Sequence, residues 1–93
     1  RTNKPKMDLA IIDVREPSDY EAGHFEGAIN IPMSVIYENK PRLLELAKNK
    51  QLILYCRSGA RAETAKQQLS SWGIPDVING INQSNIEKGL NTA

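Results

Sequence analysis

The sequence holds a single cysteine and a single histidine among its 93 residues, and it contains no long apolar run. One cysteine excludes a disulfide within the chain and a zinc site built from several cysteines. No run approaches the roughly 20 apolar residues of a membrane-spanning helix. The formal net charge of +1 argues against nucleic acid as the main partner. We therefore expect a soluble protein whose partners are neither a membrane nor a nucleic acid.

Ninety-three residues suffice for one small domain, near the size at which burial of apolar surface is only just enough. We expect a single domain over residues 1–93 that acts as a monomer. The first six residues, 1–6, are basic and polar and are expected to be poorly ordered. Because the chain begins at Arg1 rather than at methionine, we expect either a removed leader or a trimmed start.

The most informative stretch surrounds the cysteine. Four consecutive apolar residues, 52–55, predict a strand covered on both faces, as in a parallel sheet. Cys56 ends this strand, and a loop over residues 56–61 follows. Apolar residues then recur at helical spacing, at Ala62, Ala65, Leu69 and Trp72. Gly73 and Pro75 mark the helix end. Cys56 is thus predicted at the carboxyl end of a parallel strand, facing a helix amino end, where open α/β sheets bind ligands.

The loop has the composition of an anion-binding site around a reactive thiol. Ser58, Gly59 and Ala60 allow the backbone to curl with its N–H groups inward, and the helix amino end adds partial positive charge. Arg57 and Arg61 add two full charges. Such surroundings lower a thiol pKa from about 8.5 to roughly 3.5–7.5, which gives a nucleophilic thiolate at neutral pH. The alternative is a small buried apolar residue without chemistry, and the two arginines favour the reactive thiol.

The first third of the chain predicts a second buried parallel strand at residues 9–15. Pro17 and Gly23 suit the first turn and the end of a short helix over residues 16–23. A loop then leads into a short strand at residues 28–31.

The other predicted elements are helices and one short strand. Residues 33–49 contain a proline near a helix start and several leucines, which predict an amphipathic helix on one sheet face. Residues 76–78 predict the last strand, Asn79 and Gly80 a turn, and residues 84–88 a final helix of about two turns.

Two motifs in this sequence resemble the rhodanese family of sulfurtransferases. In the first, Cys56 and Arg61 bound a loop of six residues, which is the length of the active-site loop in that family. In the second, Ile12-Asp13-Val14-Arg15 is followed by Gly-His at 23–24, Gly-Ala at 27–28 and Asn-Ile-Pro at 30–32. The resemblance covers most of residues 9–73. It implies an α/β fold with a small open parallel sheet and helices on both faces.

The resemblance implies a thiosulfate sulfurtransferase. The Cys56 thiolate would attack the outer sulfur of thiosulfate, hold it as a persulfide, and pass it to cyanide or a thiol acceptor. Cys56 would be the catalytic residue. The substrate-binding residues would be those of the loop, namely Arg57, Ser58, Gly59, Ala60 and Arg61. Neither a metal nor an organic cofactor is implied.

Three further residues are given supporting roles. An Asp–Arg pair at a strand end usually fixes loops through charged hydrogen bonds, and the resemblance implies that Asp13 and Arg15 support the active-site face. His24 could be a general base for Cys56, but no sequence rule places it beside the thiol. We expect it to belong to the scaffold instead.

Two other functions remain open. One is a cysteine-dependent phosphatase or arsenate reductase on a related fold. Cysteine phosphatases use a loop one residue longer than residues 56–61 to hold a tetrahedral phosphate, which argues against this alternative. The other is a persulfide carrier module without turnover of its own. Cys56 is present, and a persulfide carrier needs such a cysteine to hold the sulfur.

The C-terminal part departs from the family pattern. The family commonly shows a Gly-Gly pair and then a tryptophan on the closing helix, whereas this sequence has Asn79-Gly80-Ile81 and Asn85. The compact length most resembles the small single-domain rhodaneses of the phage-shock-protein E type, which are exported to the bacterial periplasm. This resemblance implies a periplasmic location, and a cytoplasmic one stays open because a disulfide-free protein suits either compartment.

Overall fold

The computed structural model describes residues 8–74 and 76–89. Its strands are β1 (Asp8–Asp13), β2 (Ile29–Asn30), β3 (Lys50–Cys56) and β4 (Val77–Asn82). They form one sheet in the order β2-β1-β3-β4, and each neighbouring pair is parallel. The predicted α/β fold with a small open parallel sheet is confirmed. The predicted disorder of residues 1–6 and the predicted stop at Pro75 lie outside the described residues.

The strands are connected by the helices α1 (Pro17–Ala22), α2 (Lys40–Ala47) and α3 (Ala60–Ser71), and α4 (Gln83–Glu87) follows β4. A 3-10 turn at Met33–Val35 precedes α2. Pro17 and Pro41 lie in the first turns of α1 and α2, where the missing N–H of proline has no helical partner to lose. Within residues 8–74 and 76–89, every helix is too short or too polar to span a bilayer.

The sheet is covered by helices on both faces, as the sequence predicts. Successive side chains of a strand point to opposite faces, so the central strands contribute to two apolar clusters. The cluster shared with α2 and α3 includes Ile12, Leu43, Leu54, Ala65 and Leu69. The cluster shared with α1 and α4 includes Tyr20, Ile53, Tyr55 and Ile86. The two clusters therefore pack against the sheet from both sides.

The central strand β3 positions the cysteine. It pairs with β1 on one side and β4 on the other, and its residues 52–56 are all buried, which explains the apolar run without alternation. Because the strands are parallel, Cys56 ends beside Asn82 of β4, and α3 begins shortly afterwards at Ala60. Cys56 therefore lies at the carboxyl edge of the sheet, the usual place for ligands in such folds.

The prediction of a turn at Asn79 and Gly80 is wrong, because both residues lie inside β4. The pairing of β4 with β3 instead shifts in register after Leu54, as a bulge does. A side chain at position 80 would place its Cβ 3.0 Å from side-chain carbons of Ile53 and Ile86. The glycine thus permits close packing of α4 on the sheet, and it does not make a turn.

Other predicted boundaries move by a few residues. Helix α3 begins at Ala60 and not at Ala62, because Gly59 adopts the left-handed conformation (φ 92°) that lets a helix start directly after the loop. The strand predicted at residues 9–15 is Asp8–Asp13, and the short strand at 28–31 is Ile29–Asn30. The remaining predicted helices are present as α1, α2 and α4.

Candidate active site

Cys56 ends β3 with its sulfur at the amino end of α3. The residue is a free cysteine and only 4% exposed. The N–H of Gly59 donates a hydrogen bond to Cys56 Sγ at 3.1 Å. Because Gly59 is the residue that caps α3, the sulfur lies where the partial positive charge of the helix is strongest.

The surroundings of Cys56 favour the thiolate. Burial is the largest single influence and by itself would raise the pKa of the thiol. Four backbone N–H groups of the loop and first helical turn oppose it, and together they bring the pKa of Cys56 below its usual value; they belong to Ala62, Gly59, Ser58 and Arg61. The sequence predicts a lowered pKa from the loop N–H groups, the helix amino end and the two arginine side chains together, and in the structure the lowering comes from the backbone N–H groups.

We expect the rate of Cys56 alkylation by iodoacetamide to rise with pH along a titration curve whose midpoint lies below about 8.5, the usual thiol pKa. Only the thiolate reacts, so a lowered pKa keeps the rate high until the pH falls through that pKa. The measurement is the alkylation rate against pH, read by protein mass, with Cys56→Ser as the blank. A midpoint at or above 8.5 would show that burial outweighs the N–H groups.

Two cavities open at the cysteine. One has a volume of about 350 Å³ and is lined by Arg15, Glu16, Asp19, Cys56, Arg57, Ser58, Ala60 and Arg61. The other has a volume of about 320 Å³ and is lined by Arg15, Cys56, Arg57, Asn82, Gln83, Ser84 and Glu87. Both volumes are large enough for a small sulfur compound. We call the rim formed by these residues the mouth of the site.

The structure brings the five predicted substrate-binding residues together in one loop. Their backbone groups and their side chains have different positions relative to the sulfur. Backbone N–H groups of the loop and first helical turn hydrogen-bond to the sulfur, and Ser58, Ala60 and Arg61 also line the larger cavity. Arg57 is turned towards α1, where its Nη2 donates to Asp19 Oδ1 at 2.9 Å. Its charge is therefore paired, which the sequence does not predict.

Asp13 and Arg15 form a brace beside the cysteine. Asp13 is fully buried, and its carboxylate accepts hydrogen bonds from the backbone N–H, Nε and Nη2 of Arg15 at 2.8 to 3.1 Å. The hydrogen bonds from the Arg15 side chain to Asp13 raise the pKa of Arg15, although burial works in the opposite direction. Arg15 also donates to the carbonyl of Gly23 at 2.7 Å and lines both cavities. The pair lies where the sequence predicts it, and its effect on the reaction stays a prediction.

His24 lies away from the sulfur. Its Nδ1 is 2.7 Å from the carbonyl oxygen of Tyr20, and its ring stacks on the Tyr20 ring with centroids 3.6 Å apart. It lines neither cavity at Cys56. These contacts fit the predicted scaffold role and give His24 no path to act as a base for Cys56.

Asn79 supports the loop, a role that the sequence does not predict. Its Nδ2 donates to the carbonyl of Gly59 at 3.0 Å and to Glu63 Oε1 at 3.1 Å, and its Oδ1 accepts the N–H of Ile81 at 2.9 Å. Ile81 has a positive φ of 71°, which is rare for a β-branched residue. Asn79 thus ties the irregular part of β4 to the glycine that donates to Cys56. The feature of the sequence that pointed to Asn79 was its departure from the Gly-Gly pair that the family commonly shows at this position.

Solved structures share this architecture. A rhodanese with anions from Escherichia coli superposes with a TM-score of 0.73 at 32% sequence identity, covering 83% of this chain and 89% of that one. The human single-domain sulfurtransferase TSTD1 superposes with a TM-score of 0.66 at 27% identity, covering 86% of this chain and 82% of that one. The likeness therefore extends over most of the length of each protein.

Curated relatives are longer than this chain. "Uncharacterized protein YqhL" of Bacillus subtilis is 41% identical over 74% of this chain and 52% of its own length. "Putative sulfur carrier protein YrkF" of the same species is 38% identical over 84% of this chain and 43% of its own length. A tRNA uridine(34) hydroxylase of an Enterobacter species is 37% identical over 75% of this chain and 21% of its own length. The chain thus spans about half, or less, of these relatives.

The protein-family model described as "Rhodanese-like domain" matches residues 1–84, which include strands β1 to β4, the cysteine loop and the Asp–Arg brace. That match, the parallel sheet with its cysteine at the carboxyl edge, and the structural neighbours agree with one another. The chain therefore belongs to the family of rhodanese-like domains.

Proposed function

We propose that this domain is a sulfurtransferase that takes a sulfane sulfur from thiosulfate onto Cys56 and delivers it to cyanide or to a thiol. The observation that carries the proposal is the buried sulfur of Cys56 with the Gly59 N–H at 3.1 Å and a pKa lowered by the loop backbone. A thiolate held among preset donors suits an acceptor of a single sulfur atom, because the donors already point to where negative charge resides.

The first step would be attack of the Cys56 thiolate on the outer sulfur of thiosulfate. A new sulfur–sulfur bond forms, the original sulfur–sulfur bond of thiosulfate breaks, and sulfite leaves with the bonding pair. Cys56 then carries a persulfide whose terminal sulfur bears the negative charge. The backbone N–H groups of the loop are the donors available to stabilise that charge.

The second step would return the enzyme to its starting state. Cyanide or a thiolate attacks the terminal sulfur of the persulfide, the bond to Cys56 Sγ breaks, and thiocyanate or a new persulfide leaves. The Cys56 thiolate is regenerated, so no external oxidant or reductant is needed. The lowered pKa of Cys56 serves this step too, because a stable thiolate is a good leaving group.

A persulfide carrier without turnover of its own is the second candidate. The observation in its favour is the 38% identity to the relative whose name describes a putative sulfur carrier. A carrier and a transferase share the first step and differ in whether a small acceptor can complete the second. Location in the periplasm and a monomeric state stay predictions.

The test of the proposal compares two activities of the wild-type chain. We expect release of thiocyanate from thiosulfate and cyanide, and no useful hydrolysis of p-nitrophenyl phosphate, because the six-residue loop is tight for a phosphoryl group. Phosphate-ester hydrolysis at the rate of sulfur transfer would favour the phosphatase alternative. Loading of Cys56 with sulfur but no thiocyanate release would favour the carrier.

A further inference from the structure

The ion pair between Arg57 and Asp19 crosses the mouth of the site. It joins the loop after β3 to helix α1, with Arg57 Nη2 and Asp19 Oδ1 2.9 Å apart. The Asp19 side chain is 27% exposed and that of Arg57 is 77% exposed. The backbone of Asp19 is fixed as well, since its N–H donates to the carbonyl of Glu16 at 3.0 Å. The less exposed carboxylate therefore sets the position of the exposed guanidinium.

The mouth carries nearly balanced charge. The residues that line its two cavities include three arginines, Arg15, Arg57 and Arg61, and three carboxylates, Glu16, Asp19 and Glu87. Arg15 is also paired with the buried Asp13 and Arg57 with Asp19. Among the described residues, Arg61 is the arginine of the mouth that has no ion-pair partner within 4.0 Å. A dianionic donor thus meets less positive charge than the number of arginines suggests.

We propose that Asp19 sets the preference of this site for donor charge. By pairing with Arg57, it withholds one positive charge from the mouth and so reduces the advantage of dianionic thiosulfate over monoanionic donors such as thiosulfonates and organic persulfides. Asp19 is a positioning residue, because it acts through Arg57 and need not touch the donor. The inference rests on the proposed sulfur transfer and names the donor class of the same site.

Removing the carboxylate should strengthen the attraction for a donor in proportion to the donor's charge. Coulombic attraction between one freed positive charge and a dianion is twice that for a monoanion at equal distance. Because the mouth is open to solvent, salt screens the effect, with a Debye length of about 10 Å at 0.1 M ionic strength. We therefore expect about a two- to fivefold gain in kcat/KM for thiosulfate at low salt. A smaller gain is expected for a monoanion.

The experiment measures kcat/KM of Asp19→Asn for thiosulfate and for p-toluenethiosulfonate, a monoanion that offers a comparable outer sulfur. We expect the thiosulfate-to-thiosulfonate ratio to rise at low ionic strength and to return towards the wild-type ratio at high salt. The ratio is taken on one sample, so it does not depend on the fraction of chain that is folded. The matched control is Glu21→Gln, which removes an exposed carboxylate from the same helix outside the mouth.

A second variant separates positioning from direct repulsion. In an Arg57→Ala background, Asp19→Asn should raise the donor ratio less than it does when Arg57 is present. Only the direct repulsion between the Asp19 carboxylate and the donor is then removed, and no guanidinium is freed. A ratio that does not rise in Asp19→Asn, that rises equally in Glu21→Gln, or that rises as much without Arg57 as with it would overturn the inference. Failure of the wild-type chain to load sulfur from either donor would instead overturn the proposed function.

Discussion

Replacing Cys56 with serine is expected to reduce thiocyanate formation from thiosulfate and cyanide to the level of buffer alone. The chain has no other thiol that could hold the sulfur. A serine hydroxyl is not ionised near neutral pH and is a poor nucleophile unless a base activates it. His24, the only histidine, lies against Tyr20 and lines neither cavity, so it offers no such base.

The fold should survive this change. Serine nearly preserves the size of the side chain, and its oxygen can accept the Gly59 N–H that now reaches Cys56 Sγ at 3.1 Å. Burying a hydroxyl in place of a thiol should lower the free energy of unfolding by no more than about 1–3 kcal/mol. Circular dichroism and a thermal melt would check this. Thiocyanate release by folded Cys56→Ser at a rate near wild type would show that the sulfur does not pass through Cys56.

Inserting one glycine between Gly59 and Ala60 is expected to lower sulfur transfer by at least about 100-fold, because a misplacement near 1 Å in an active site can have that effect. The N–H groups of Ser58 and Gly59 precede the insertion point, and those of Arg61 and Ala62 follow it. An extra residue moves one pair relative to the other, so they no longer converge on the sulfur. With fewer donors and the same burial, the pKa of Cys56 should rise.

The measurements are the thiocyanate assay, the pH profile of alkylation and p-nitrophenyl phosphate hydrolysis on the folded insertion variant. The matched control carries a glycine between Tyr37 and Glu38, two exposed residues before α2, since lengthening a surface loop by itself has a small cost. We expect the control to keep its activity. Full sulfur transfer by the variant with the longer active-site loop would show that loop length does not select a single sulfur atom.

Much of the fold could be predicted from local pattern. The unbroken apolar run in β3 identified a strand buried on both faces, and the spacing of Ala62, Ala65 and Leu69 identified α3. The prediction of a turn at Asn79 and Gly80 was wrong because a glycine after an asparagine can either form a turn or permit close packing within a strand. Here the glycine allows Ile53 and Ile86 side chains to approach, and that contact exists only once α4 has folded onto the sheet.

The candidate site could be predicted as far as the loop itself. Cys56 and residues 57–61 are contiguous, so the sequence shows both the nucleophile and the amides around it. Asp19 could not be found in this way, because its partner Arg57 lies 38 positions away along the chain. Asn79 lies 20 positions from Gly59. Such pairs of distant residues come into contact only because the order of the strands brings their ends together at one edge of the sheet.

The most direct test of the central claim is the mass of the intact protein after incubation with thiosulfate and removal of the excess. We predict that the wild-type chain gains the mass of one sulfur atom, and that cyanide removes it with release of one equivalent of thiocyanate. Cys56→Ser should gain nothing under the same conditions. An unchanged wild-type mass, or a gain that Cys56→Ser shares, would contradict a persulfide on Cys56 as the carrier of the transferred sulfur.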